Sequence, residues 1–355
     1  MKLNKILFVN GPGAGGTENV TFIFSKILAK AGYDCSALIL QCHGAKSDMC
    51  PNIPSGLTPT VYIGKFRYYI FALLKQIRRV KPNIVFCSMP DRSHLILLLK
   101  MLHLYNGKLV IRENNMPSKQ EKRIVYFSKL LYRYADRIIS QTVEMKQEIM
   151  DIYHVPSDLI TVINNPIDDE VIQFKLKEKY LMDSSFINYL TVCRISSQKD
   201  LRTMIGAFSK LLIIQPQSRL YIVGAIKDKA YADSILQLCA DLKVDDKVFF
   251  QGFQTNPIKY IEACDVFVLS SIFEGLPNAM LEAMYLGKPV AVTECIPYIS
   301  KVVKNGLNGY VCDVQDVDGL AEAMIKANEI SGLARFNDVN KSDKKIIELF
   351  GELIN

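Results

Sequence analysis

The chain has 355 residues, of which 49% are hydrophobic, and its formal net charge at pH 7 is +7. This length suits about two domains, and the hydrophobic content excludes a disordered protein. Nine cysteines without a C-x-x-C pair argue against a disulfide framework and a zinc site, and four histidines without ligand spacing suggest no metal.

The sequence predicts neither a membrane span nor a signal peptide. Residues 1–10 are strand-like, and no small-residue cleavage site follows them. The apolar stretch 94–104 is interrupted by Lys100 and is too short to cross a bilayer. We therefore expect a cytoplasmic protein that is soluble or peripheral to the membrane.

Strand-like apolar runs alternate with helical patterns along the chain. In the first half these runs are 5–10, 35–41, 83–89, 108–113, 137–142 and 160–164, and in the second half 188–193, 219–224, 248–253, 265–270, 289–293 and 309–312. Such alternation predicts an α/β fold with two doubly wound parallel sheets. The polar stretch 164–185 has no clear period, and we interpret it as the linker between them.

The first strand run is followed by a glycine-rich turn and by an amphipathic helix from about Thr17 to Lys30. Gly11, Gly13 and Gly16 satisfy G-x-G-x-x-G, but a dinucleotide site also needs an acid roughly 20 residues on, and the second strand ends in Gln41. A loop whose backbone amides approach a phosphate fits better. The alternative is a turn that merely joins strand to helix.

The segment 65–81 is basic and aromatic. No acid occurs between Asp48 and Asp91. Its cations are Lys65, Arg67, Lys75, Arg78, Arg79 and Lys81, and its aromatic residues are Phe66, Tyr68, Tyr69 and Phe71. This composition suits the surface of an anionic membrane. Nucleic acid is not an expected partner, because no base-reading module accompanies the segment. The alternative is a solvated helix face with its aromatics in the core.

Two cations bracket a loop in the segment 187–211. A buried strand ends near Cys193, and a helix with apolar residues at helical spacing follows. Arg194 and Lys199 flank the loop between them. The planar fork of arginine and the compact charge of lysine suit phosphate oxygens, although both side chains could be solvated surface cations.

Two glutamates flank a helix start within 265–292. The predicted helix spans about 277–286, because Pro277 suits its first position and Gly287 suits its end. Glu274 lies in the preceding loop and Glu282 on the helix, so the free N–H groups of the first turn face a space between two acids. That space suits an anionic ligand with hydroxyls. Alternatively, both are ordinary solvated carboxylates.

Together these residues resemble the family 4 glycosyltransferases. Glu274 and Glu282 match the E-x7-E motif of that family, Arg194 and Lys199 match its R-x4-K element, and Gly15, Gly16 and Glu18 match its GG-x-E element. The resemblance implies that Glu274 touches the hydroxyls of a donor sugar and that Glu282 holds the ribose. Arg194 and Lys199 would bind the donor diphosphate. Cys193 departs from the pattern, since the family usually has glycine there.

The resemblance also implies the GT-B fold, in which two Rossmann-like domains face each other across a cleft. Residues 1–165 would bind the acceptor and residues 166–340 the nucleotide sugar, and a helix in 341–355 would return to the first domain. The donor site would further include Gly252, Phe253, Gly275, Leu276 and Pro277.

The implied activity is transfer of a hexose or N-acetylhexosamine with retention at the anomeric carbon, without a metal ion or cofactor. The donor would be a nucleotide sugar, with UDP chosen by family frequency. The acceptor would be a lipid-linked glycan in bacterial surface polysaccharide biosynthesis. Alternatives are a nucleotide-sugar epimerase, a glycoside hydrolase and a non-catalytic scaffold that binds nucleotide sugar or membrane.

The residues expected on the acceptor side depart from the family pattern. Many family members carry a histidine at the end of a first-domain strand, where this chain has Arg112, Glu113, Asn114 and Asn115. This resembles a subgroup of bacterial surface-glycan enzymes, and it makes Glu113 the candidate for orienting the acceptor hydroxyl or accepting its proton. Alternatively, Glu113 pairs with Arg112 or caps the next helix.

Overall fold

The computed structural model describes residues 4–12, 15–42, 57–333 and 339–354. The chain forms two compact units, Met1–Pro166 with Asp338–Asn355, and Ile167–Asn337. Each unit contains one parallel sheet of its own. The predicted α/β class with two doubly wound sheets is therefore confirmed. Among the described residues, no helix is long and apolar enough to cross a membrane.

The first unit has seven strands in the order β3-β2-β1-β4-β5-β6-β7. The strands are β1 Lys5–Asn10, β2 Asp34–Gln41, β3 Thr58–Ile63, β4 Ile84–Cys87, β5 Lys108–Arg112, β6 Arg137–Ser140 and β7 Ile160–Val162, and the helices are α1 Gly16–Lys30, α2 Tyr69–Val80, α3 Pro90–Met101, α4 Lys122–Leu131 and α5 Val143–Tyr153. The strand order reverses between β1 and β4, which is where open sheets of this type bind ligands.

Strand β3 was not predicted from the sequence. It lies at the edge of the sheet and pairs only with β2 among the described strands. Val61 and Ile63 are 45% and 51% exposed, so the segment lacks the continuous apolar run of a buried strand. Pro59 lies within it, and an edge strand tolerates proline because one side of its backbone needs no ladder partner.

The second unit has six strands in the order β10-β9-β8-β11-β12-β13. The strands are β8 Ile187–Val192, β9 Ser218–Val223, β10 Val248–Gly252, β11 Val266–Leu269, β12 Val290–Thr293 and β13 Gly309–Cys312, and the helices are α6 Asp169–Lys175, α7 Leu201–Ile214, α8 Lys229–Asp241, α9 Ile258–Ala263, α10 Asn278–Tyr285, α11 Ile299–Val302 and α12 Val317–Asn328. Here the order reverses between β8 and β11.

The interpretation of 164–185 as a linker is wrong in part, because helix α6 lies within it. The Asp168 side chain caps this helix by accepting a hydrogen bond from the Val171 N–H (3.1 Å). The following turn is bound to the second unit, where Asn256 Nδ2 donates to the Lys175 carbonyl (2.9 Å) and Lys259 pairs with Glu178. The segment therefore belongs to the second unit from Ile167 onward.

The last helix, α13 Val339–Ile354, belongs to the first unit and packs against α1. Ile346, Leu349 and Phe350 are buried there, in one cluster with Ile6 and Phe86 of the sheet. The ring of Phe350 lies 6.1 Å from that of Phe86. The helix therefore covers one face of the first sheet together with α1.

Candidate functional site

The predicted site residues of the second unit follow its two central strands. β8 and β11 are parallel neighbours, with Tyr189 opposite Val266 and Leu190 opposite Phe267. Because carboxyl ends of parallel strands lie at the same sheet edge, the loop after β8 and the loop after β11 meet. Arg194 and Lys199 lie in the first loop and Glu274 in the second.

Lys199 and Glu274 form an ion pair between Nζ and Oε1. Their side chains are only 14% and 10% exposed. The Ser271 hydroxyl donates a second hydrogen bond to the same carboxylate oxygen (2.7 Å). The carboxylate is thus held in place by a cation and a hydroxyl, as expected for a group that must present a fixed charge to a ligand.

The two loops are tied together by further hydrogen bonds. Gln198 Nε2 donates to the Phe273 carbonyl (2.9 Å), and the Ile272 N–H donates to the Gln198 carbonyl (2.9 Å). The Ser270 hydroxyl donates to the Lys199 carbonyl (2.8 Å). These contacts fix the backbone on both sides of the ion pair.

Arg194 is exposed, and it forms no ion pair with another residue that the structure describes. Its neighbour Cys193 does not have a positive φ angle, so the absence of the usual glycine requires no strained backbone here. A glycine is needed at Gly224, after the neighbouring strand β9, where the backbone approaches Cys193 closely. A Cβ on Gly224, whose φ is +153°, would lie 1.7 Å from the Cys193 carbonyl oxygen.

Helix α10 begins at Asn278, one residue later than predicted, and Pro277 is its N-cap residue. Glu282 lies on this helix and is partly exposed. Desolvation raises the pKa of Glu282 from 4.5 to about 7, while Lys175 of α6 acts in the opposite direction. Among the described residues, the Glu282 carboxylate has no ion-pair partner of the kind that Glu274 has, and a hydroxyl-bearing ligand would supply hydrogen-bond donors to it.

The remaining predicted donor residues of this unit lie around the same sheet edge. Gly252 ends β10 with φ +64°, and its carbonyl accepts from the Gly224 N–H (2.8 Å). Phe253 follows it and is 43% exposed. Gly275 and Leu276 are buried between Glu274 and α10.

In the first unit, the predicted glycine loop lies at the carboxyl end of β1. Gly15 is the N-cap residue of α1 and Gly16 its first residue, while Gly13 lies outside the described residues. A Cβ on Gly15 would lie 2.7 Å from Glu18 Oε2. Gly15 has no side chain to cap this helix start, and a helix start is a common place for phosphate binding.

Asn114 reaches the same sheet edge from β5. Its Nδ2 donates to the Ser88 carbonyl after β4 (2.8 Å) and to Thr17 Oγ1 in the first turn of α1 (3.3 Å). Asn115 beside it is partly exposed. Asn114, one of the residues predicted for the acceptor side, therefore lies at the strand-order reversal of the first sheet.

Glu113 is fully buried. Its Oε1 accepts from the Asn114 N–H (3.2 Å) and from Gln120 Nε2 (3.0 Å), and its Oε2 accepts from the Tyr132 hydroxyl (3.2 Å). Burial raises the pKa of Glu113 to about 7, although these hydrogen bonds oppose the shift. Arg112 donates instead to Asn165.

Sequence reasoning did not identify Ser271, Gln198 or Thr17 as site residues. Ser271 and Gln198 lie inside the very loops that carried the predicted residues. Two signals were available in the sequence: Ser271 is polar at the end of an apolar strand, and Gln198 is polar and lies between Arg194 and Lys199. Nothing local marks Thr17, since its contact with Asn114 joins residues 97 positions apart.

Two parallel α/β units, each with a reversal of strand order, have the architecture of the GT-B glycosyltransferase class, which the solved structures similar to this chain share. The family model described as "Glycosyl transferases group 1" matches residues 173–343, and the model described as "Glycosyltransferase Family 4" matches residues 14–171. The two models lie end to end along the chain. The chain is a glycosyltransferase of this group 1 and family 4 type.

Individual relatives agree with this assignment. An uncharacterized glycosyltransferase of Methanocaldococcus jannaschii is 29% identical over 254 residues, which are 67% of this chain and 62% of that protein. The N-acetylgalactosamine-N,N'-diacetylbacillosaminyl-diphospho-undecaprenol 4-alpha-N-acetylgalactosaminyltransferase of Campylobacter jejuni is 24% identical over 310 residues, 81% of this chain and 80% of that protein. The crystal structure of Anabaena HepE in complex with UDP and glucose has a TM-score of 0.80 at 17% identity, covering 98% of this chain and 100% of that one.

Proposed function

We propose that this glycosyltransferase moves a hexose or N-acetylhexosamine from a UDP-sugar to a lipid-linked glycan, with retention at the anomeric carbon and without a metal ion or cofactor. The acceptor would belong to bacterial surface polysaccharide assembly, at the cytoplasmic face of the membrane. The ion pair of Lys199 and Glu274, beside exposed Arg194 at the strand-order reversal, is the observation that carries this proposal.

The chemistry on the donor side follows from these three residues. The bond between the anomeric carbon and the diphosphate oxygen breaks with its electron pair on that oxygen, and Arg194 and Lys199 stabilise the negative charge. The acceptor oxygen forms the new bond to the anomeric carbon, and its proton passes to the departing diphosphate oxygen. Glu274 binds the sugar hydroxyls and offsets the positive charge that develops on the sugar. Because Lys199 already touches Glu274, one cation would serve both the leaving group and the carboxylate.

Glu282 is assigned to the ribose. Its carboxylate is poorly solvated and raised in pKa, so hydroxyl donors from a bound nucleoside would favour its charged form. Gly252, Phe253, Gly275, Leu276 and Pro277 would complete the donor site. In the first unit, the backbone amides at Gly15 and Gly16 would bind a phosphate group of a substrate.

For the acceptor side we favour a positioning role for Glu113. Its carboxylate is buried and accepts three hydrogen bonds, one of them from the backbone of Asn114. It would hold Asn114 and Asn115 in place to orient the acceptor hydroxyl. A direct proton acceptor would need its oxygen within hydrogen-bond reach of that hydroxyl.

The choice of UDP and of a lipid-linked acceptor draws on the relatives. The HepE crystal contains UDP, and the Campylobacter protein is named for a diphospho-undecaprenol acceptor. An anionic membrane is proposed as a partner of the segment 65–81. Phe66, Tyr68 and Phe71 are exposed rather than in the core, whereas Tyr69 is buried, so most of the aromatic residues remain available to a lipid surface.

The proposal is tested by incubating the protein with UDP-, GDP- and ADP-sugars and an undecaprenyl-diphosphate glycan, in the presence of EDTA. We expect one UDP-sugar to extend the glycan by one sugar. NMR should show that the new linkage has the same anomeric configuration as the donor. Release of an epimerised sugar and free nucleotide without acceptor would identify an epimerase. Binding of nucleotide sugar without any product would identify a scaffold.

A further inference from the structure

A group of large apolar side chains is exposed on the outer side of α3 and α4. Leu102 is 63% exposed and Tyr126 is 61% exposed. We call this group the α3–α4 patch, and its members are Met101, Leu102, Leu104, Tyr126, Phe127, Leu130 and Tyr134, each at least 43% exposed. Burial against the rest of the unit therefore does not explain their apolar character.

The two helices hold the patch as one surface. His94 of α3 lies between them, with its Nε2 3.0 Å from the Ser128 hydroxyl and its ring 5.9 Å from that of Phe127. The 3-10 turn Tyr132–Tyr134, which follows α4, also packs against α3. α4 and the turn after it are thus held against α3.

The α4 part of the patch is rich in cations along the sequence. Between 117 and 135 the cations are Lys119, Lys122, Arg123, Lys129 and Arg133, and the single acid is Glu121. None of these cations forms an ion pair with another residue in the described ranges. Aromatic and aliphatic side chains interleaved with unpaired cations are typical of surfaces that meet anionic lipid, where the rings enter the interface and the cations meet the phosphates.

A groove beside Tyr126 provides a place for a headgroup. It has a volume of about 370 Å³, and its walls include Ser118, Gln120, Lys122, Tyr126 and Lys129. The Ser118 hydroxyl donates to Glu148 Oε1 (3.0 Å) and Gln120 Nε2 donates to Glu113 Oε1 (3.0 Å). The two lysine ammonium groups are therefore the donors that this opening offers to a phosphate.

The patch shares its side of the sheet with the basic segment 65–81. Crossovers between parallel strands are right-handed, so α2, α3 and α4, which follow β3, β4 and β5 and lead in the same direction along the sheet, lie on one face. α3 packs against both α2 and α4. The cations of α2 therefore extend the same helical layer.

We propose that the α3–α4 patch is a second membrane-binding surface, which inserts its aromatic and leucine side chains into an anionic lipid bilayer. Leu102, Leu104, Tyr126, Phe127, Leu130 and Tyr134 enter the interface. Lys122 and Lys129 bind a headgroup phosphate at the groove. This surface is distinct from the segment 65–81 and does not depend on the identity of donor or acceptor.

The test is co-sedimentation of the full chain with vesicles of phosphatidylcholine, with and without phosphatidylglycerol. The variant Leu102→Ser/Tyr126→Ser/Leu130→Ser should bind anionic vesicles at least ~10-fold more weakly than the wild type, because three interfacial anchors are lost. The matched control is Phe174→Ser/Ile213→Ser/Ile214→Ser, which removes exposed apolar side chains of the second unit (70%, 83% and 68% exposed) and should leave binding unchanged. Circular dichroism melting confirms that each variant is folded.

A second variant, Lys122→Glu/Arg123→Glu, removes no apolar residue and should lose binding to the phosphatidylglycerol vesicles. Unchanged vesicle binding by both variants, or equal binding of the wild type to neutral and anionic vesicles, would overturn the proposal. A concentration-dependent dimer in light scattering that the serine variant abolishes would assign the patch to a second copy instead. Turnover of a water-soluble acceptor should be the same in the serine variant and the wild type, so failure of the proposed transfer activity is recognised separately.

Discussion

Lys199 and Glu274 are 75 residues apart in the sequence, yet their side chains form an ion pair where β8 and β11 lie side by side. Both side chains are largely buried, so water solvates neither charge well and each charge depends on the other. A ligand diphosphate near Lys199 would therefore meet a cation whose position is already fixed. The same ion pair therefore contributes to the folding stability of the second unit and positions Lys199 for a ligand.

Lys199→Ala should reduce turnover by ~100-fold or more, the usual scale for the loss of one preorganised charge partner. It should also lower the melting temperature, because Glu274 is left as a buried charge without its cation. The control is Lys210→Ala, whose partner Asp318 is 80% exposed. Normal turnover in Lys199→Ala would remove Lys199 from the site.

Arg194→Ala should reduce turnover by a similar factor of ~100 while leaving the melting temperature unchanged. The reason for the difference is that Arg194 is exposed and makes no ion pair with another described residue. Steady-state kinetics and a thermal melt on the same preparation separate the two effects. Near-normal activity would reject the assignment of Arg194 to the diphosphate.

Gly224→Ala should destabilise the second unit strongly. The added Cβ would meet the Cys193 carbonyl oxygen at 1.7 Å, and overpacking of this kind costs ~3 kcal/mol or more. For a unit of this size that corresponds to a fall in melting temperature of roughly 6–12 °C. Gly32→Ala is the control, since its φ is also positive but no atom of the described residues lies within 4 Å of an added Cβ. Equal melting temperatures for the two variants would contradict the close approach.

The pKa of Glu282 predicts a dependence of stability on pH. Its pKa is about 7 in the folded chain against 4.5 ordinarily, so the folded state binds the proton more tightly than the unfolded state does. The cost of ionising Glu282 is absent below about pH 4.5, develops as pH rises, and is complete above about pH 7. Glu282→Gln should therefore stabilise the protein at pH 8 relative to the wild type, and much less at pH 5.

Thermal melts of the wild type and of Glu282→Gln at pH 5 and pH 8 measure this effect. If the two proteins differ in melting temperature by the same amount at both pH values, the raised pKa of Glu282 is excluded. Lys175→Ala provides an independent check. Because Lys175 lowers the pKa of Glu282, its removal should move the midpoint of the pH effect upward. In UDP binding, the wild type should bind more tightly at pH 8 than at pH 6, whereas Glu282→Gln should show no such trend.

Glu113→Gln distinguishes a positioning role from direct proton transfer. A positioning residue loses both stability and turnover, because an amide cannot accept all three hydrogen bonds that the carboxylate accepts. Tyr132→Phe, which removes one of those donors, should then show the same combined loss on a smaller scale. A normal melting temperature with turnover that has lost its pH dependence near 7 would instead make Glu113 the proton acceptor.

Strands and their order of appearance could be predicted from the sequence because most are buried on both faces. β1 is buried at every position except Lys5, and its apolar run leaves little ambiguity. β3 escaped prediction because its exposed edge mixes threonine, proline and tyrosine with apolar residues. Helix α6 escaped prediction because it is seven residues long and buries only Ile172, so no helical period is visible.

The candidate site was predictable as a set of residues but not as a set of contacts. Arg194, Lys199, Glu274 and Glu282 follow from local motifs and the resemblance. The pairing of Lys199 with Glu274 depends on β8 and β11 being neighbours in the sheet, which no local pattern encodes. The burial of Glu113 under Tyr132 likewise depends on where α4 packs.

Helix α13 has a practical consequence for dissecting this protein. Since the first unit is assembled from both ends of the chain, the second unit is topologically an insertion, and it can be excised as one continuous fragment near 167–337. The first unit has no such fragment. Stopping translation before α13 would leave the partners of Ile346, Leu349 and Phe350 without cover, so a useful minimal version would need an artificial linker that joins the segment before 167 to α13.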